Sequence, residues 1–341
     1  MRVFLLSGFL VSLSLLFAGV VYAQTFTPLD PLTISLSPKY PQPGQEVTAT
    51  VTSSDINARS ATIAWLLNDE VKKQEAGGVS YTFTATEVGS SQTLEVLVRA
   101  PDGNISSKKI TISPSQVTLL WEADTYTPPF YGGRALYSIG SNIRAEAVPH
   151  IARPEGGFYD PSEVTYVWSK NGVVMGSSSG IGAQTLITEG PKFLGNYILT
   201  VEVRSPSGTQ IAQSSALVET YGAMVKLYER DPLAGVQYQS TITNGYSFND
   251  SPQIELQAIP YFMDARTING SSLAYTWNIN GETATNETGS PSTLNIQLSS
   301  VESISTQLGV SISNNSSPLQ KTESTLRVNF EGSTKNSLFG L

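Results

Sequence analysis

Apolar and polar residues alternate with a period of two along much of the chain, and one alternating word occurs three times around a tryptophan. The three copies are Thr62-Ile63-Ala64-Trp65-Leu66-Leu67-Asn68-Asp69, Thr165-Tyr166-Val167-Trp168-Ser169-Lys170-Asn171-Gly172 and Ala274-Tyr275-Thr276-Trp277-Asn278-Ile279-Asn280-Gly281. Period two predicts a strand, because successive side chains of a pleated backbone point to opposite faces. The Asn-Asp or Asn-Gly pair after each Trp predicts a tight hairpin turn, since Asn and Gly tolerate positive φ. The copies recur roughly 100 residues apart, the size of a small domain rather than of a solenoid repeat.

Other strands recur in step. Val47-Thr48-Ala49-Thr50-Val51 corresponds to Ile143-Arg144-Ala145-Glu146-Ala147 and to Ile254-Glu255-Leu256-Gln257-Ala258. Each alternates as a strand does when one sheet face is wet. Leu119-Leu120-Trp121-Glu122 and Val225-Lys226-Leu227-Tyr228-Glu229 predict the first strands of the second and third copies. Val98-Arg99-Ala100-Pro101-Asp102-Gly103 and Val203-Arg204-Ser205-Pro206-Ser207-Gly208 predict late hairpins, with a looser counterpart at Ile312 to Pro318. No segment carries a convincing amphipathic helical period. The expected fold is all-β, with three tandem antiparallel sandwiches at residues 31–115, 117–222 and 223–331 and a tail at 332–341. The short junctions predict limited hinge freedom and an extended rod.

Composition narrows the setting. The chain has 341 residues, 40% of them hydrophobic, which is enough for real cores. Charged residues make up only 14%, so Ser, Thr and Asn must supply much of the solvent face, as in extracellular β-proteins. The net charge of −8 without a basic cluster argues against nucleic acid and anionic lipid as partners. Residues 1–23 read as a secretory signal peptide: Arg2 supplies the positive end, Val3 to Val21 the apolar run, and Val21-Tyr22-Ala23 a cleavage site before Gln24. An uncleaved anchor is the alternative. No later apolar run is long enough to span a bilayer, so the mature chain has no expected membrane span. The absence of Cys rules out disulfides and favours a bacterial or archaeal source over a eukaryotic one.

These residues resemble the immunoglobulin-like β-sandwiches of bacterial cell surfaces, including the polycystic-kidney-disease (PKD) type. The resemblance covers roughly residues 31 to 330. It implies that Trp65, Trp168 and Trp277 are the core tryptophans of the third strand. Gly195-Asn196-Tyr197-Ile198-Leu199-Thr200-Val201 is similar to the penultimate Ig strand, with Leu199 where a Cys often stands and Tyr197 as a tyrosine corner. Leu94 and Leu308 occupy the Leu199 position in the other two copies. After the Trp, only Asp69 and the Asn-Gly pairs echo the PKD turn.

Candidate chemistry is sparse. His150 is the sole histidine, too little for a His-based zinc site or a catalytic set, so a structural or exposed role is expected. Gly176-Ser177-Ser178-Ser179-Gly180 matches a nucleophile elbow in letters, but no His follows it. Glu122 and Asp124, and Glu229 and Asp231, lie in sequence just after the junctions and could take Ca²⁺ there; solvated strand ends are the plainer reading. Aromatic loops are the best binding signal. Tyr126, Phe130 and Tyr131 precede the second strand of the middle domain, and Phe158 and Tyr159 follow it. Tyr238, Tyr246, Phe248, Tyr261 and Phe262 occupy related stretches of the third domain. Rings in loops rich in Pro and Gly suit a glycan or a partner protein if both loops of the middle domain reach one end; otherwise they cap the sandwich. On that basis Tyr131→Ala and Tyr159→Ala weaken binding at little cost in stability. The expected function is an exported, non-enzymatic structural or adhesive surface protein. A carbohydrate-binding accessory protein and a self-associating subunit of a pilus or surface array are the alternatives.

Overall fold

A computed structural model describes residues 32 to 330, except 192, 194, 249–252, 269–270, 286–288 and 298–302. The expected signal peptide at 1–23 and the tail at 332–341 lie outside the described residues. No described helix is long and apolar enough to cross a membrane.

The first sandwich comprises β1 (Leu32–Ser37), β2 (Glu46–Ser53), β3 (Thr62–Leu67), β4 (Glu70–Ala76), β5 (Ser80–Thr84), β6 (Gln92–Arg99) and β7 (Ile105–Ile112). Sheet β1-β2-β5 faces sheet β4-β3-β6-β7. The second comprises β8 (Gln116–Ala123), β9 (Asn142–His150), β10 (Thr165–Lys170), β11 (Val173–Val174), β12 (Gly180–Ile181), β13 (Thr185–Glu189), β14 (Asn196–Arg204) and β15 (Ile211–Glu219). Its sheets are β8-β9-β13 and β11-β10-β14-β15, with β12 also paired to β10. The third comprises β16 (Met224–Asp231), β17 (Gly235–Ile242), β18 (Tyr246–Phe248), β19 (Gln253–Tyr261), β20 (Leu273–Ile279), β21 (Glu282–Thr283), β22 (Thr293–Gln297), β23 (Ile304–Asn314) and β24 (Lys321–Phe330). Here sheet β17-β16-β19-β22 faces β18-β24-β23-β20-β21.

The third domain departs from the expected pattern. Tyr238, Tyr246 and Phe248, read as loop residues, lie on strands. Gly235, at a φ of 77°, turns β16 back into β17, and β18 then crosses to pair in parallel with β24. Mixed apolar and polar residues over so short a stretch carry little periodicity, which is why neither strand shows in the sequence.

Each domain has its own core, and each core is centred on the repeated Trp. Trp65 and Trp168 are fully buried and Trp277 is 2% exposed. The repeated word builds one device three times. Asn68-Asp69, Asn171-Gly172 and Asn280-Gly281 all adopt positive φ, as a two-residue type I′ hairpin requires. The side-chain oxygens of Asn68, Asn171 and Asn280 then accept from the backbone N–H of Thr93, Ile198 and Gln307, at 2.9, 2.8 and 2.9 Å. Each indole N–H donates to a backbone carbonyl, of Gly78, Ala183 and Pro291 respectively. The hairpin is thus pinned to the neighbouring strand while the ring's polar atom is satisfied inside the core.

Leu94, Leu199 and Leu308 are fully buried in their cores. Tyr197 is also buried, but its hydroxyl finds no hydrogen-bond partner, so the backbone bond that defines a tyrosine corner is not formed. Lys170 instead lies over the ring, 4.1 Å from its centroid, and the neighbouring Tyr137 makes the backbone bond, donating to the Pro191 carbonyl at 2.8 Å. The Gly-Ser run is structural too: Ser179 Oγ donates to the Met175 carbonyl and accepts from the Trp168 N–H, tying the turn to the Trp strand.

Burial pushes the hydroxyl of Tyr166 up to about 12, with the nearby Asp160 charge acting the same way. A folded value raised above the unfolded one near 10 means stability that is whole below that value and lost as pH rises through 10 to 12. The Tyr166 hydroxyl is expected to ionise late and together with unfolding; its titration near 10 in folded protein would contradict this.

Candidate functional site: the joint between the second and third domains

The segment between β8 and β9 leaves the second sandwich and lies against the third. Pro128 and Pro129 stiffen it, and the Tyr131 N–H donates to the Pro128 carbonyl to close a turn with Phe130 at a φ of 67°. It returns through Ala135 and Leu136, whose carbonyls accept from the Ala123 N–H and the Thr125 hydroxyl. The loop that follows β19 meets it edge to edge. The Tyr126 N–H donates to the Met263 carbonyl and the Phe262 N–H to the Tyr126 carbonyl, both at 2.7 Å, around an antiparallel bridge between Thr125 and Asp264. The two domains therefore share a short stretch of main-chain pairing.

Behind that pairing sits a buried polar network. Gln320, which precedes β24, is 1% exposed. Its side-chain oxygen accepts from the Asp264 N–H at 3.1 Å and from Asn314 Nδ2 at 2.8 Å. Its amide nitrogen donates across the joint to Ser141 Oγ at 3.0 Å and Ser138 Oγ at 3.3 Å. Ser138 donates back across the joint to the Phe262 carbonyl. Asn314 also donates to Thr267 Oγ1, and Asp264 holds the turn by accepting from the Arg266 backbone and guanidinium. A buried network whose members are satisfied is rigid, because any displacement strands a polar group without water. Gly140 adds a steric fit: a Cβ there would stand 2.3 Å from Ser317 Oγ in the third domain.

An aromatic cluster covers the outer face of the third domain's first sheet. Tyr228, Ile259, Tyr261 and Phe262 are buried there, with Tyr126, Leu136, Val236 and Tyr238 packed against them. The Tyr228 and Tyr261 hydroxyls are 2.5 Å apart. Tyr131 meets Phe262 and Tyr261 edge-on, at 5.7 and 6.1 Å between centroids. Burial raises the hydroxyl of Tyr126, and burial followed by the Tyr228 hydroxyl raises that of Tyr261.

The aromatic residues singled out in the sequence do not form one platform. Tyr126 and Tyr131 belong to the joint, and Phe130 stands at its edge, 93% exposed with only the rim of Tyr238 beside it. Phe158 and Tyr159 lie at the opposite end of the second domain. The nine residues of β9 run between the two loops, a span of about 27 Å at the usual strand rise. Phe158 packs beside His150, 4.1 Å between ring centroids, while Tyr159 lies against the domain core beneath Arg153. Tyr131→Ala and Tyr159→Ala are therefore both expected to lower the melting temperature, the reverse of the sequence expectation; unchanged thermal melts would show that these contacts carry no stability.

The acidic pairs are separated for a similar reason. Strands β8 and β16 both run away from the junctions that precede them. Glu122 and Asp124 accordingly sit at the far end of the second domain, where the Asp124 carbonyl accepts from Ala265. Glu229 accepts from the Tyr246 hydroxyl at 2.8 Å. Asp231 accepts from the Ala234 and Leu233 N–H groups, which hold its carboxyl below the usual range. Among the described residues, no three His, Asp or Glu side chains gather as metal ligands would. The residues that make the joint were missed in the sequence. Ser138, Ser141, Asn314 and Gln320 read as ordinary turn residues, and their partners lie as far as 182 residues away. Between the first and second domains the described bonds are fewer: Gln210, within the second, accepts from Ser115 at 3.4 Å.

No family model and no curated protein matches the chain. Solved structures of tandem sandwiches are similar. The three N-terminal domains of the bacteriophage RB49 highly immunogenic outer capsid protein (Hoc) align over 89% of this chain and 100% of theirs, at 13% identity and a TM-score of 0.25. Fibronectin(III)-like modules of Clostridium thermocellum CbhA align over 55% and 93%, at 12% identity and 0.27. Bacteroides ovatus SGBP-B of a mixed-linkage glucan utilization locus, in complex with a mixed-linkage heptasaccharide, aligns over 89% and 72%, at 13% and 0.22. At these scores the likeness adds nothing to the pairing of sheets described above. By that pairing, and by the buried Trp in each core, the chain consists of tandem immunoglobulin-like β-sandwiches.

Proposed function

We propose that this is an exported, non-enzymatic structural or adhesive protein of a bacterial cell surface, in which the second and third sandwiches act as one stiff unit. The observation that carries the proposal is the network around Gln320, buried and bonded to both domains. Domains that merely follow one another need no such network, since interdomain contacts within a chain are ordinarily small and mobile. Export rests on Arg2 and the apolar run to Val21, and bacterial origin on the absence of Cys. The PKD-type assignment rests on the post-Trp turns alone.

Fractionation of the source cells with N-terminal sequencing tests the reading. A chain beginning at Gln24 in the envelope or medium is the expected result. A chain retaining Met1 in the cytoplasm overturns it.

A second reading, recognition of a partner through aromatic residues, is favoured by one residue. Phe130 is held in a left-handed conformation that costs a non-glycine residue about 1–2 kcal/mol, yet its ring is left in solvent. Phe130→Gly removes the strain and the ring together. It is expected to hold or raise the melting temperature, and a fall in thermal melts would place the ring in the joint's packing instead.

A further inference from the structure

Trp121 stands outside the threefold Trp pattern. The other tryptophans each donate the indole N–H to a backbone carbonyl. Trp121 makes no such bond among the described residues, and its nitrogen is not sealed from solvent. Its ring forms the floor of an open groove of about 580 Å³ on the second domain, between the β8 edge and Ala216 of β15. Glu122, Arg134, Arg144 and Glu146 line the groove, with Leu119 beneath.

The arginines define its chemistry. The central carbon of the Arg134 guanidinium sits over the indole, 3.8 Å from the ring centroid. A guanidinium held over an aromatic ring by cation–π attraction still has N–H donors to offer a ligand. Arg144 is on β9, where it pairs in register with Glu122. Arg153, Arg204, Arg230 and Arg266 are each ion-paired to a carboxylate. Arg134 and Arg144 form no such pair among the described residues, so two planar, multiply donating cations line one groove. Glu122 and Glu146 bring acceptors to the same place, although Glu146 takes a 3.4 Å bond from Gln184.

From this arrangement we infer that the groove binds a carboxylate-bearing saccharide. The guanidinium fork of Arg134, held on Trp121, matches a sugar carboxylate with two parallel N–H···O bonds, and Arg144 supplies a second donor set. Glu122 and Glu146 accept from ring hydroxyls. Leu119 and Ala216 offer apolar surface to sugar C–H groups. An acidic peptide fits less well, because it brings several carboxylates and few hydroxyls to a groove that already holds two Glu. The site is independent of the stiff-unit proposal: it is built from the second domain alone.

Isothermal titration of the exported chain, residues 24–341, with tetragalacturonate and with tetraglucuronate tests the inference. The methyl-esterified tetragalacturonate and a tetraglutamate peptide serve as comparisons. Saturable binding of at least one acidic saccharide is expected, weakened tenfold or more by esterification and by Arg134→Gln or Arg144→Gln. Arg134→Lys, which keeps the charge but loses the fork, is expected to weaken it as well. All three substitutions lie at the exposed surface, and unchanged melting temperatures verify that the variants fold. Failure of both acidic saccharides to bind overturns the inference. So does equal binding of the ester, undiminished binding by both Gln variants, or tighter binding of the peptide.

Discussion

Trp168→Ala is expected to destabilise the second domain by about 3–5 kcal/mol, the usual range for removing a core aromatic. The ring is fully buried among Ile143, Ala145, Tyr166, Leu199 and Val201. Truncation leaves a large cavity. It also leaves the Ala183 carbonyl without its 2.8 Å donor, a cost beyond the lost packing. Denaturant titration of the variant measures the effect, and a loss below about 1 kcal/mol would remove Trp168 from the core. Intrinsic fluorescence gives an independent check, because a Trp sealed between sheets emits to the blue of the unfolded chain. With four Trp in the sequence, that check needs variants retaining one at a time.

Gln320→Ala is expected to cost about 2–4 kcal/mol, since it strands at least two of the buried groups the side chain now satisfies. Those groups are the Asp264 N–H and Asn314 Nδ2 on one side and the Ser138 and Ser141 hydroxyls on the other. The same change is expected to alter cooperativity. In the parent chain the second and third domains are expected to melt in one calorimetric transition, and in the variant that transition is expected to divide. A Gln320→Ala protein that melts like the parent would show the network to be incidental.

The two changes mark how far the sequence could be read. Everything that repeats was legible. Trp65, Trp168 and Trp277, the Asn turns and the alternation of the flanking strands each appear three times, and coincidence does not repeat in register. The periodicity of a strand is local, so it shows which residues face a core without knowledge of the partner strand. What happens between domains leaves no such trace. Gln320 meets Ser138 across 182 residues, and nothing in either local sequence points to the other.

The aromatic loops show the limit from the other direction. Tyr126 and Tyr131 were visible as unusual residues for a loop. The direction of β9 decides that Phe158 and Tyr159 lie at the opposite end, and that is a property of topology rather than of composition. Trp121 differs again. Its ring packs with the second domain's core, while the guanidinium over it comes from Arg134, thirteen residues on and across a turn.

Because the chain contains no cysteine, introduced pairs are the only labelling sites, and this gives the most direct test of the stiff two-domain unit. Gln213 on β15 and Glu323 on β24 are both exposed, one in each domain. Electron–electron distance measurement on the spin-labelled Gln213→Cys, Glu323→Cys protein is expected to give a single narrow distribution, which broadens when Gln320→Ala is added. A broad or multiple distribution in the parent chain would contradict the account, because it would mean that the second and third sandwiches move independently despite the bonds that join them.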